Sequence, residues 1–215
     1  MRIIDLSLAI DNGMPGASIR PAKVLESDGW NATTLELYSH CGTHMDAPRH
    51  FLPDGQTLEQ QSLEQLVGPA QVVDLSTVGP REAITVQHLA SIEEKVVAGS
   101  RLLIRTDWHK RFGTESYRNE LPRISLGLAK WLVDRKVALI GVEPPSVADV
   151  NNIAELTEVH QTLFRGNIVI VEGLAHLDRI QKSTVQFIAL PLKINGGDGC
   201  PVRAVAIEDG GASES

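Results

Sequence analysis

Alternation of apolar and polar positions divides the chain into short strands and helices that follow one another from end to end. Residues 2–8 (RIIDLSL) read as a first strand. A loop carrying Gly13, Pro15, Gly16 and Pro21 follows. Residues 33–38 are β-rich and alternating, which predicts a second strand, and 58–66 reads as a short helix. Apolar strands are predicted at 71–75, 101–105 and 137–142, the last ended by Pro144-Pro145. Between them, 85–97 has helical spacing (Val86, Leu89, Ile92, Val96), and 124–135 offers Leu128, Trp131 and Leu132 to a core. A short helix over 157–164, with Thr157 as its N-cap, precedes strands at 167–171, 185–190 and 202–207. Strands and helices mixed in this way predict the α/β class. No repeat or linker divides the chain, so one domain is expected over 1–207, with a flexible polar tail at 208–215.

Composition narrows the picture. The chain has 215 residues, 42% hydrophobic and 22% charged, which suits a folded domain with a sizeable core and excludes general disorder. No apolar run approaches the ~20 residues that span a bilayer, and the N-terminus lacks the apolar stretch of a secretory leader. A net charge of -7 without a Lys/Arg-rich run argues against a nucleic-acid partner. Cys41 and Cys200 form no CxxC pair and no disulfide framework, so a reducing cytoplasm is the expected location. The polar stretch between Trp108 and Pro122 reads as a surface excursion or subunit contact.

Histidine carries the candidate chemistry. Three of the seven, His40, His44 and His50, fall close together around Asp46. Imidazole and carboxylate suit zinc, manganese or iron. Gly42 and Thr43 oppose a helix here and Pro48 favours extended backbone, so a strand end entering a rigid loop is expected. In a strand, His44 and Asp46 share a face, and Gly42 lets the backbone bring His40 back to the same point. His50 is then a fourth ligand or a proton carrier. The competing reading is a surface loop that happens to hold histidines, or a core histidine bonded to a carbonyl. His160, placed in the first turn of the predicted 157–164 helix, would be kept neutral by the positive helix end. Glu172, after the apolar run 168–171, is either a solvent-facing terminator or an inward ligand. Cys41 has the chemistry of a soft ligand but reads as packing.

The stretch 40–51 (HCGTHMDAPRHF) resembles the HxGTHxDxPxHF signature of the cyclase-like metal-dependent hydrolases, the family of bacterial kynurenine formamidase and isatin hydrolase. Residues 157–160, GNIVIVEGL at 166–174, and the segments 188–193 and 196–204 resemble its later motifs, so the likeness runs over about 1–207. The resemblance implies a swivelling β/α/β-type fold with a central mixed sheet. It implies a first metal held by His40, His44 and Asp46, with Asp46 bridging to a second held by His160 and Glu172. Two zinc ions are favoured, with manganese as the alternative, and His50 is the general acid/base. The implied reaction is attack of metal-activated hydroxide on a small aryl-amide or cyclic amide, in a homodimer or homotetramer. Met14-Pro15-Gly16 stands where the formamidases carry a substrate-contacting Trp. Met14 is thus a substrate-binding candidate that offers apolar contact without a flat ring or an indole N–H. Glu143 stands where relatives more often have Asp, and Cys200 where a small residue such as Ser is common. Two other functions stay open: a metal-dependent cyclase or lyase, and a metal-stabilised binding protein without turnover. Ser39 and Ser146 lack a G-x-S-x-G setting. His88, His109 and His176 are expected in ordinary surface or packing roles.

Overall fold

Residues 1–208 are described by a computed structural model, in which twelve strands form. They are β1 (Arg2–Asp5), β2 (Ala17–Lys23), β3 (Ala32–Leu37), β4 (His44–Asp46), β5 (Val67–Asp74) and β6 (Ala83–Ile84). The second half holds β7 (Arg101–Arg105), β8 (Arg123–Ile124), β9 (Leu139–Val142), β10 (Val169–Glu172), β11 (Thr184–Pro191) and β12 (Gly199–Glu208). The expected α/β class and central mixed sheet are both present. The sheet runs β12-β11-β5-β7-β9-β10-β4, and β4 pairs back onto β12, closing a seven-strand barrel. β12 is long enough to serve two neighbours on one edge. Its residues Gly199–Pro201 pair with β4 and Val205–Glu208 with β1, while Val202–Ile207 pair with β11 on the other edge. Closure leaves the ring without an open edge.

β5, β7, β9 and β10 are mutually parallel, and the remaining ring pairings are antiparallel. Parallel neighbours need crossovers, and two of these carry the helices Leu126–Asp134 and Ile153–Arg165. That is why β9 and β10 are buried along their whole length: one face fills the barrel and the other lies under helices. Leu103, Leu139, Val169 and Val171 point inward with Met45 and Phe187. Leu102, Ile104, Ile140 and Ile170 point outward onto Leu128, Leu132, Val159 and Leu163 of the helices.

Several expectations change. The loop expected after the first strand contains β2, which pairs with β3 in a hairpin separate from the barrel. β2 is mostly exposed, so it has no apolar alternation to read. The 58–66 helix is a 3-10 turn at Leu58–Gln60 and an α turn at Leu63–Leu66, divided by extended Gln61 and Ser62. The 85–97 helix is a 3-10 helix, Val86–Lys95. Val86, Leu89 and Ile92 recur every three residues, which is its period. The helix expected at 157–164 begins at Ile153, and its cap is Asn152, whose side chain accepts from the Glu155 N–H at 3.2 Å. Thr157 is therefore not a cap, and His160 lies mid-helix. The tail expected at 208–215 lies outside the described residues except for Glu208. Glu208 is a buried strand residue that accepts from the backbone N–H groups of Gln181 and Lys182.

Candidate metal centre

The ligand candidates meet between the outer face of the sheet and the helix Ile153–Arg165. β4 is three residues long, so His44 and Asp46 share a face while Met45 turns into the barrel. Antiparallel pairing sets Glu172 directly opposite His44. The helix buries Val159, His160, Leu163 and Phe164 on one face and brings His160 down onto the same spot. Gly42, at φ 63, takes the left-handed turn that returns His40 to the cluster. The structure thus brings together five residues from three separate parts of the chain.

Their donor atoms stand at similar spacings. His44 Nε2 is 3.3 Å from Glu172 Oε2 and 3.4 Å from Asp46 Oδ1. His160 Nε2 is 3.3 Å from Glu172 Oε1 and 3.7 Å from Asp46 Oδ2. These separations exceed those of good charge-assisted hydrogen bonds. Two donors about 2.0–2.2 Å from one tetrahedral cation stand about 3.4 Å apart, so the set fits a shared ion better than it fits itself. Asp46 Oδ2 is buried without a hydrogen-bond partner, an orphan that a cation would satisfy. Both imidazoles are held by backbone. His44 Nδ1 faces Gly42 O at 3.0 Å and His160 Nδ1 faces Leu156 O at 2.7 Å. In the neutral ring, Nδ1–H donates to the carbonyl and Nε2 keeps a lone pair for a cation. His40 Nδ1 lies 2.7 Å from Asp46 Oδ1 and its Nε2 3.4 Å from Asp198 Oδ2.

The protonation equilibria follow from this crowding. Burial opposes charge on His44, but the Glu172 hydrogen bond and the charges of Asp46 and Glu172 raise its pKa to about 9. His160 is raised in the same way, burial being overcome by Glu172. Glu172 is driven below the ordinary carboxylate range despite burial, because His160 and His44 both bond it. The helix end expected to act on His160 from a first-turn position lies two turns away, since the helix starts at Ile153, and the bond from Nδ1 to Leu156 O fixes the ring instead. His50 differs. Burial lowers its pKa, the charges of His40 and His160 lower it further, and Asp46 only partly offsets this. Its ring stacks on His40 with centroids 3.8 Å apart.

A cavity of ≈ 640 Å³ opens over His40 and His44, with Met14, Tyr38, Phe112 and Tyr117 among its walls. Met14 is buried, with its thioether packed under Gly42. Cys41 and Cys200 are buried free thiols. Three further residues shape the cluster without being marked by ligand chemistry in the sequence. Gly199 makes room for His40, since a Cβ there would sit 2.5 Å from His40 Cε1. Asp198 faces His40, and Phe51 stacks on His160 with centroids 4.4 Å apart. All three lie in or beside segments that resemble the family's motifs, the only signal that pointed to them. No helix among the described residues is long and apolar enough to cross a membrane.

The family model Cyclase matches residues 4–149. Kynurenine formamidase of Bacillus cereus is 36% identical over 183 residues, covering 84% of this chain and 81% of its own. The solved isatin hydrolase A of Labrenzia aggregata, bound to benzyl benzoate, superposes with a TM-score of 0.86 at 25% identity and covers 95% of this chain and 93% of that one. A solved potential metal-dependent hydrolase with cyclase activity superposes with a TM-score of 0.79 at 25% identity, covering 97% of this chain and 99% of that one.

Proposed function

This chain belongs to the Cyclase family, and on that premise we propose that it is a metal-dependent hydrolase of amide C–N bonds in small aryl-amides or cyclic amides. The observation that carries this reading is the convergence of His44, Asp46, His160 and Glu172 around the unpartnered Asp46 Oδ2, with neutral-leaning His50 close by. His40, His44, Asp46, His160 and Glu172 would hold the metal. Two ions are favoured, zinc before manganese, and Asp46 would bridge them. In support, His44, Asp46 and Glu172 place donor atoms within 4.8 Å of one another, and His40 Nδ1 lies 2.7 Å from Asp46 Oδ1. Asp46 is common to both contacts.

A divalent cation supplies, when bound, a polarised substrate carbonyl and a water whose pKa falls from ~15.7 to about 7. The protein does the rest. A ring nitrogen of His50, unprotonated near neutral pH, takes the water's proton and returns it to the leaving nitrogen. Water adds across the C–N bond, giving an acid and an amine, or one ring-opened amino acid from a cyclic amide. The aromatic walls and Met14 hold an apolar ring against the donors. The same proposal takes residues 1–207 as one domain and reads the fold as the swivelling β/α/β type, supported by helices packed outside the parallel half of a mixed sheet. Two buried free thiols support a cytoplasmic location. Exposed Trp30, Leu35 and Tyr38 on and beside the β2–β3 hairpin support a homodimer or homotetramer.

The test offers N-formylkynurenine and isatin in parallel to protein loaded with Zn²⁺ or Mn²⁺, followed by absorbance, with elemental analysis of the purified protein. Turnover that chelation abolishes is expected. A full rate after chelation would sink the reading.

A further inference from the structure

A second histidine cluster lies apart from the ligands above. His109 sits in the 3-10 turn Trp108–Arg111, and His176 with Asp178 sits at the turn Leu177–Arg179. One donor atom from each lies within 4.8 Å of the others. His109 is buried, and its Nε2 is 3.7 Å from Asp178 Oδ1, too far for a hydrogen bond. The rings of His109 and His176 meet edge to face, centroids 5.0 Å apart.

Two observations separate this cluster from a casual surface grouping. The first is Glu143, which is fully buried. Its Oε2 accepts from the Thr106 N–H (2.8 Å), the Thr106 hydroxyl (3.3 Å) and the Trp108 N–H (3.1 Å), and its Oε1 lies 2.8 Å from His109 Nδ1. A carboxylate so anchored holds the proton on Nδ1 and turns the Nε2 lone pair toward His176 and Asp178. This is the carboxylate–histidine arrangement that orients metal ligands. The second is Asp178. Its Oδ2 is 3.3 Å from Lys110 Nζ, whereas its Oδ1 is buried without a hydrogen-bond partner. Lys110 also pairs with Asp107, which is tied in turn to Arg105, so these two cations are committed to Asp107 and to the other oxygen of Asp178.

We propose that His109, His176 and Asp178 form a further divalent-cation site, separate from the Asp46 centre, with Glu143 as the positioning residue behind His109. Two imidazoles and one carboxylate suit a zinc-class transition ion and leave a position for water. The site joins the two turns at the rear of the cavity wall. Tyr117, which lines the cavity, donates its hydroxyl to Glu143 O at 3.1 Å.

The test is a Co²⁺ titration of chelator-treated full-length protein, read by visible absorption and metal content, on wild type, His176→Asn, Asp178→Asn and His44→Asn. His176 has φ 60, a conformation that Asn tolerates, so His176→Asn removes the imidazole and keeps the turn. Wild type is expected to bind one equivalent more than His176→Asn or Asp178→Asn, while both keep the Co²⁺ that His44→Asn loses. Glu143→Gln is expected to weaken only the additional equivalent, by about 10–100-fold. Equal stoichiometry and identical spectra for wild type and folded His176→Asn, checked by circular dichroism, would overturn the proposal. That result leaves the His44-dependent equivalents, and the amide hydrolase reading, untouched.

Discussion

His44 and Glu172 face each other across β4 and β10, residue to residue in the antiparallel register, with His44 Nε2 3.3 Å from Glu172 Oε2. The pairing joins two residues 128 positions apart and decides where the candidate ligands gather, on the helix-covered face of the sheet. A register slip of one residue would turn His44 and Asp46 into the barrel and Met45 out of it.

Removing a ligand should remove the metal. For Asp46→Asn and His44→Ala, elemental analysis is expected to show loss of bound cation and turnover lower by more than about 100-fold, beyond what outer-shell changes cost. A variant that keeps both its metal and its rate would discard that residue as a ligand.

His50→Ala should keep its metal and lose about 10²–10⁴-fold in kcat. The acid limb of its pH–rate profile should flatten, because the base that must be unprotonated has gone. Loss of metal in this variant would make His50 a ligand with His40 and Asp46 instead.

Gly199→Ala tests the room left for His40. A Cβ there meets the His40 ring on one side and Met45 O, at 3.0 Å, on the other. The imidazole has to move, and a misplacement of about 1 Å is expected to lower kcat by up to about 100-fold. Gly196→Ala is the contrast, since a Cβ there meets nothing within 4 Å. Its effect should be confined to the cost of its φ of 72, seen as a small drop in Tm with kcat unchanged.

Acid stability should depend on Glu208. Burial opposes its charge, but the N–H groups of Gln181 and Lys182 and the Arg2 guanidinium hold its pKa below the ordinary 4.5. A depressed carboxylate stabilises the fold above its unfolded pKa and loses that contribution as pH falls through the folded value. Glu208→Gln is therefore expected to lower stability at pH 7 by up to about 1.5–3 kcal/mol, the range for hydrogen bonds to charged groups. The difference should shrink towards pH 3. Thermal melts at the two pH values measure it, and an equal deficit at both would refute it.

The α/β class, most strands and the His40–His44–Asp46 grouping were legible in the chain alone, because each rests on local spacing. Alternation marks strands whose two faces differ, and an x1 spacing puts His44 and Asp46 on one face whatever surrounds them. Residues 101–105 read as a strand and form β7 unchanged. β2 was hidden because neither of its faces is buried. Residues 153–156 begin a helix whose start local spacing places at Thr157, because Asn152 and Thr157 are both competent caps and only the fold chooses between them.

What tertiary structure alone decided is which distant residues meet. Closing β12 onto β4 sets Gly199 and Asp198 beside His40, and no local spacing encodes that. Burial then changes the chemistry of the side chains it gathers. Glu143, one acidic residue among many in the sequence, becomes a buried anchor for His109, and His109 and His176 cease to be unrelated histidines. Charge and coordination depend on distances of a few ångström and on the exclusion of water. The amino-acid order sets the ligand types, and the closed barrel with its packed helix sets those distances.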